Sequence, residues 1–210
     1  MENGKVLHIK YINSVLSFLK ENRCILLLTA FFLTGLISGT FIYKNNENIF
    51  NFVVKFSEDF VNTRTGESFI VIFLKSLLFQ MIFLSFIFIM GTSVTGITFV
   101  PIAIFIRGAL VGGLTGNIYS VYALNGIVFN AVIIIPTTVI SIIALIIGAE
   151  HSLVFSKQVS LLTFPNSKPR NLSYAFKYLC IKFLILCIPI IVSALLDAWL
   201  SRKLIPYFLL

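Results

Sequence analysis

Five stretches of this chain stay apolar for about as long as a helix needs to cross a bilayer, roughly 20 residues. They run over about 24–43, 69–90, 97–123, 127–148 and 178–199. In hydrocarbon no water satisfies a backbone N–H or C=O, so such a segment has to hydrogen-bond within itself as helix. The expected fold is therefore all-α, a polytopic membrane helix bundle of about five transmembrane helices. Composition agrees. Only 11% of the 210 residues are charged and 58% are hydrophobic, against roughly a quarter charged in a soluble domain. Residues 24–210 are expected to form one bundle, preceded by residues 1–23 as a separate amphipathic segment.

The third run holds the most distinctive local pattern. Gly108, Gly112 and Gly116 recur every fourth residue, with Ala109 and Gly113 widening the same face. Lipid supplies no hydrophobic drive between helices, so small residues at this spacing favour close backbone approach and dispersion contacts. The run is expected to be the central, most tightly packed helix. Gly35 and Gly39 form a similar pair on the first run. Arg107 stands beside the glycine face. Pro101 leaves two placements for it: a helix starting near Pro101 puts Arg107 in the inner half, and one starting at Ile97 puts it near the midplane. A central arginine costs about 2.5–3.5 kcal/mol on insertion scales, so a partner or a water-filled pocket is expected.

Other polar residues inside the runs are read in the same way. Gln80 is expected to pair with another helix and not face lipid, and Lys75 to snorkel to the nearer interface. Pro136 interrupts the fourth run, where Thr137, Thr138 and Ser141 can re-satisfy freed backbone groups. Asn125-Gly126 is a turn dipeptide between the third and fourth runs. Glu150 and His151 close the fourth run without a third ligand nearby, so interface residues are the plainer reading. Asp197 lies near the outer end of the fifth run, beside Trp199, at a different depth from Arg107. Cys24, Cys180 and Cys187 are read as small buried apolar residues.

Between the runs, residues 44–68 carry Ile49, Phe52, Val53, Phe56 and Phe60 at helical spacing. An amphipathic helix resting on the outer membrane surface is expected there, and it offers a docking surface for another protein. Residues 149–177, with Pro165 and Pro169, read as a basic, partly extended cytoplasmic loop. The N-terminal segment and the 149–182 region together hold nine basic residues, against five on the opposite side. That bias puts the N-terminus in the cytoplasm and the C-terminus outside. The net charge of +8 is then matched to anionic lipid and not to nucleic acid.

In order, these features resemble the stage II sporulation protein M family of bacterial membrane proteins, over residues from about 90 to 210. A basic residue is followed by glycines at every fourth position (Arg107, Gly108, Gly112, Gly116), then by Asn125-Gly126. A proline-centred helix runs from Pro136 through Ala144 to Gly148 and Ala149. The last helix ends in Ala194, Asp197, Ala198 and Trp199, followed by Pro206. Many members carry a histidine and a glutamate where this chain has Thr137 and Ser141, and a proline where it has Ile143.

The resemblance implies a non-enzymatic component acting with peptidoglycan hydrolases, an amidase and a lytic transglycosylase, during forespore engulfment. It also implies an alternative, a membrane component of circular bacteriocin export, maturation or immunity. The residues themselves show no Ser-His-Asp set, phosphate loop or ligand-spaced Cys/His cluster, so no enzyme activity, metal or cofactor is expected. A small transporter reading uses the glycines, prolines and Arg107 as a broken helix lining a polar path. The absence of a clear internal repeat and the short chain weigh against it unless the protein forms a homo-oligomer.

Overall fold

The computed structural model describes residues 22–42, 47–162 and 172–208, and among them every regular element is helical. The elements are α1 (Arg23–Ile42), α2 (Glu47–Gly66), α3 (Phe69–Gly91), α4 (Gly96–Phe129), a π-helical turn (Asn130–Ile134), α5 (Ile135–Leu162) and α6 (Leu172–Phe208). The amphipathic N-terminal segment and the part of the basic loop holding Lys168 and Arg170 lie outside the described residues.

Among the described residues, four helical stretches are long and apolar enough to cross a membrane: Arg23–Phe41, Phe69–Gly91, Gly96–Leu162 and Leu172–Lys203. The third, at 67 residues, is far longer than any bilayer requires, and it folds back on itself. Ala123 interrupts α4 at φ 47° and ψ −122°, a conformation that costs a non-glycine residue about 1–3 kcal/mol. The chain reverses there, so α4 up to Tyr122 and the segment from Leu124 through α5 are two antiparallel passes. This corrects the turn assignment: Asn125 and Gly126 are helical. Gly126 is needed instead for packing, since a Cβ on it would lie 2.6 Å from the Ile118 carbonyl oxygen. Across the hairpin, Asn130 donates from Nδ2 to the Tyr119 hydroxyl at 2.6 Å.

The π-helical turn sits immediately before Pro136. Proline offers no N–H and its ring crowds the preceding turn, and widening that turn by one residue accommodates it. The Thr137 hydroxyl donates to the carbonyls of Ile133 and Ile134 at 2.9 and 3.1 Å. The Thr137 carbonyl accepts from Ser193 of α6 at 2.7 Å. Pro101 behaves differently. It lies within the second turn of a helix that begins at Gly96, where it removes one early hydrogen bond without ending the helix.

Helix α5 runs on to Leu162, past the expected end at Gly148, so the first part of the expected extended loop is helix. Its polar residues there find partners: Ser152 donates to Ile87 O at 3.1 Å and Ser156 to Ser93 O at 2.6 Å. One apolar core unites α1, α3, α4, α5 and α6 around Leu28, Ile87, Ile104, Leu145 and Ile190, each fully buried. A smaller cluster, Leu114, Ile118, Phe129, Ile133 and Ile134, fills the hairpin beneath α2, with Phe56 and Phe60 packed on it.

Helix α2 is where structure and expectation differ most. It is wedged against α3, α4 and α6, while Phe52 near its start stays exposed. Val53, Ser57 and Val61 are buried, one residue per turn along a single face. Three side-chain links fix it. Asn117 of α4 donates to the Ser57 hydroxyl, Lys75 of α3 donates to the Thr63 hydroxyl at 3.0 Å, and Arg64 pairs with Asp197 of α6. Part of the apolar pattern of α2, at Val53, Phe56 and Phe60, packs on protein, while Phe52 stays exposed.

Candidate functional site

Helices α1 and α4 pack backbone against backbone. A Cβ on Gly35 would lie 3.0 Å from the Phe105 carbonyl carbon, and one on Gly39 2.8 Å from that of Ala109. From the other side, a Cβ on Gly108 would lie 3.0 Å from the Leu36 nitrogen, and one on Gly112 2.9 Å from the Leu36 carbonyl carbon. Gly113 turns toward Val53 of α2 instead, 3.2 Å from its nearest methyl. Gly116 continues the row and is half-buried. The two small-residue stripes thus serve each other within one chain. Because α1 fills this face of α4, the opposite face with Arg107 is turned toward α3 and the space under α2.

That space is a cavity of about 420 Å³, in the range of small-molecule sites, roughly 300–1,000 Å³. Helix α3 contributes Lys75, Ser76, Phe79 and Gln80; α4 contributes Arg107, Leu110, Val111 and Leu114. The hairpin and α5 add Ile134, Thr137, Thr138 and Ser141, α6 adds Asp197, and α2 closes over it with Phe56, Asp59, Phe60, Thr63 and Arg64. Among the lining residues, Gln80, Arg107 and Ser141 lie furthest along their helices from the chain ends that adjoin α2 and the hairpin, and they form the floor.

Arg107 is 6% exposed. It sits eleven residues into α4, about 16 Å from the start at roughly 1.5 Å per residue, which places it deep in the bundle. Its guanidinium lies 4.6 Å from the Phe79 ring centroid and 5.3 Å from that of Phe83. Such contacts return roughly 0.5–2 kcal/mol, less than the cost of an intramembrane arginine. Its Nε has no hydrogen-bond partner. Gln80, 4% exposed, donates to Ser76 on its own helix at 3.3 Å, and its Oε1 is also unpartnered. It faces the cavity and not, as expected, a partner on another helix. Lys75 reaches Thr63 of α2 and stands at the cavity rim.

Asp197 and Arg107 both line this one cavity, and Asp197 stands on its α2 side, beside Arg64. They do not pair. Asp197, 3% exposed, is engaged by Arg64, whose Nε donates to Oδ1 at 3.3 Å and Nη2 to Oδ2 at 2.5 Å. The same guanidinium donates from Nη1 to the Phe60 carbonyl at 3.1 Å and lies over the Phe60 ring. It is the only ion pair among the described residues. Arg64 escaped the sequence reading because it sits in the most polar stretch, where a charge is unremarkable; only the fold carries it to Asp197.

The remaining sequence candidates lie elsewhere. Asn125 is exposed at the hairpin tip, and Pro136 is half-buried behind the π-helical turn. Glu150 and His151 are half-buried on α5 at the opposite end of the bundle, with His151 against the Tyr178 ring at 6.2 Å. Among the described residues no group of three His, Cys, Asp or Glu side chains is placed to hold a metal. The cysteines are free, with Cys187 donating to the Phe183 carbonyl at 3.3 Å.

No curated protein and no solved structure matches the chain. A family match does exist, to Stage II sporulation protein M over residues 28–202. It reaches beyond the glycine stripe and the proline-centred helix to take in α2 and most of α1, the elements that complete the cavity and the α1–α4 contact. A multi-pass helical membrane architecture and a family match over most of its length together make this chain a member of the stage II sporulation protein M family.

Proposed function

We propose that this protein is a non-enzymatic scaffold of the bacterial cytoplasmic membrane that holds peptidoglycan-degrading enzymes through the outward face of α2. The observation that carries this reading is a polar stripe. Asn51, Lys55, Glu58, Asn62 and Thr65 follow one another at steps of four and three residues, and all are exposed. Residues at that spacing share one helix face. The opposite face is locked to three other helices, so the stripe is held in a fixed orientation, and a preorganised surface loses less entropy on binding. In this reading α2 and the C-terminus lie outside and the N-terminus lies in the cytoplasm, as the charge bias favours. Lipid surrounds the bundle, and self-association through its exposed apolar faces is compatible with the role.

The test is a mild-detergent pull-down of the full chain from its native membranes, read by mass spectrometry. Wild-type protein is expected to retain an amidase or a lytic transglycosylase, and a Glu58→Lys/Asn62→Lys variant to lose it. Absence of such enzymes with the wild type would refute the scaffold. Their equal recovery by the variant would move the docking surface away from α2.

The cavity favours a second reading, a membrane component of peptide export, maturation or immunity, or a small transporter. Recovery of an ATPase or a bacteriocin-cluster protein in the same experiment would support it.

A further inference from the structure

We infer that the cavity beneath α2 is a binding site for a phosphate-type oxyanion, received by the guanidinium of Arg107. The inference stands apart from the scaffold reading and does not rest on it. Arg107 is 6% exposed and its Nε lacks any partner, although a buried charge ordinarily persists only when paired. Phe79 and Phe83 hold one side of the guanidinium at 4.6 and 5.3 Å, which fixes the group without using its donors. The one buried carboxylate in the cavity is already engaged, since Arg64 takes both oxygens of Asp197. The site therefore offers a donor fork that no carboxylate pairs, since Asp197, whose field it feels, is held by Arg64, and that geometry fits two oxygens of a phosphate or similar group.

The rest of the cavity agrees. Arg64, Lys75 and Arg107 outnumber Asp59 and Asp197 among its lining residues, so a cation is disfavoured and an anion is drawn in. Asp59 and Lys75 are exposed at the rim between α2 and α3, which gives the cavity a mouth. Below the mouth, Leu110, Val111 and Leu114 provide an apolar wall, suited to the first carbons of a chain attached to the anion. A neutral ligand could accept from Arg107 but would leave its charge uncompensated.

Two sources supply this chemistry, a phosphorylated lipid entering from the side and a soluble phosphate, and one experiment separates them. Delipidated full-length protein in detergent is titrated by native mass spectrometry with dioleoyl phosphatidate, with dioleoylglycerol as the tail-matched neutral control, and with inorganic phosphate as competitor. Phosphatidate is expected to bind at one site about tenfold or more tighter than dioleoylglycerol. Arg107→Gln is expected to lose about that factor, and Arg107→Lys to recover part of it. Displacement by inorganic phosphate would identify a soluble anion as sufficient; its failure to compete would identify a lipid. Equal binding of the two lipids without phosphate binding would overturn the inference, as would unchanged affinity in Arg107→Gln. Should that variant fail to fold, Thr138→Phe narrows the cavity from α5 with Arg107 intact. It is expected to weaken phosphatidate by a similar factor, and unchanged affinity there would equally overturn the inference.

Discussion

At Gly112 a Cβ would lie 2.9 Å from the carbonyl carbon of Leu36, so the obstacle to any larger residue is backbone, which cannot rotate away. Gly112→Leu is expected to force α1 from α4 at a cost of about 3 kcal/mol or more, while membrane insertion continues, because the added side chain is apolar. Unfolding in a denaturing-detergent titration should show the loss, with insertion checked by carbonate extraction. Wild-type resistance in the variant would mean that α1 and α4 do not pack through Gly112. The glycine stripe could be recognised as a packing face in the amino-acid sequence. Which helix filled it could not, because spacing shows that a surface is flat without showing what lies on it. Arg107 is a related case: its need for company was evident from its apolar surroundings, but the occupation of Asp197 by Arg64 depends on residues 133 positions apart.

Among the elements, the α4–α5 hairpin and α2 show how local pattern and tertiary packing divide the work. Turn chemistry points to Asn125-Gly126, yet the reversal is made by Ala123 at φ 47°. The glycine is spent on the close approach to Ile118, and the reversal falls on a residue that adopts it under strain. Ala123→Gly should relieve that strain, of about 1–3 kcal/mol, against an added unfolded-state entropy of roughly 0.5–1 kcal/mol. A net gain of about 1 kcal/mol is expected in the same denaturing-detergent titration. A loss of stability would show that Ala123 does not adopt the left-handed conformation. For α2, the apolar period fits a membrane surface and a protein surface equally well. Ser57, Thr63 and Arg64 tie the helix to the bundle, since three polar residues on the inward face find partners on α4, α3 and α6.

For the molecule as a whole, the proposed placement of the termini rests on the distribution of Lys and Arg and is open to a direct test. In a cysteine-free background, cysteine introduced at Glu58 on the exposed face of α2 is expected to react with a membrane-impermeant maleimide in intact cells. Cysteine at Lys157, exposed near the far end of α5, should react only after permeabilisation. The reverse pattern would invert the bundle and place the cavity on the cytoplasmic side.

The helical, membrane-spanning character of the chain was determined by the sequence alone, because in hydrocarbon a backbone must satisfy its own hydrogen bonds and an apolar run of that length has one stable answer. The need for a close helix partner at the glycines and for company at Arg107 could be read there too. Only the tertiary structure decided that α1 covers the glycines, that α2 is built into the bundle, and that Asp197 pairs with Arg64. Those outcomes depend on which surfaces compete for the same partner across long separations, and that competition is resolved by three-dimensional packing. The same packing turns the Arg107 guanidinium toward the cavity beneath α2.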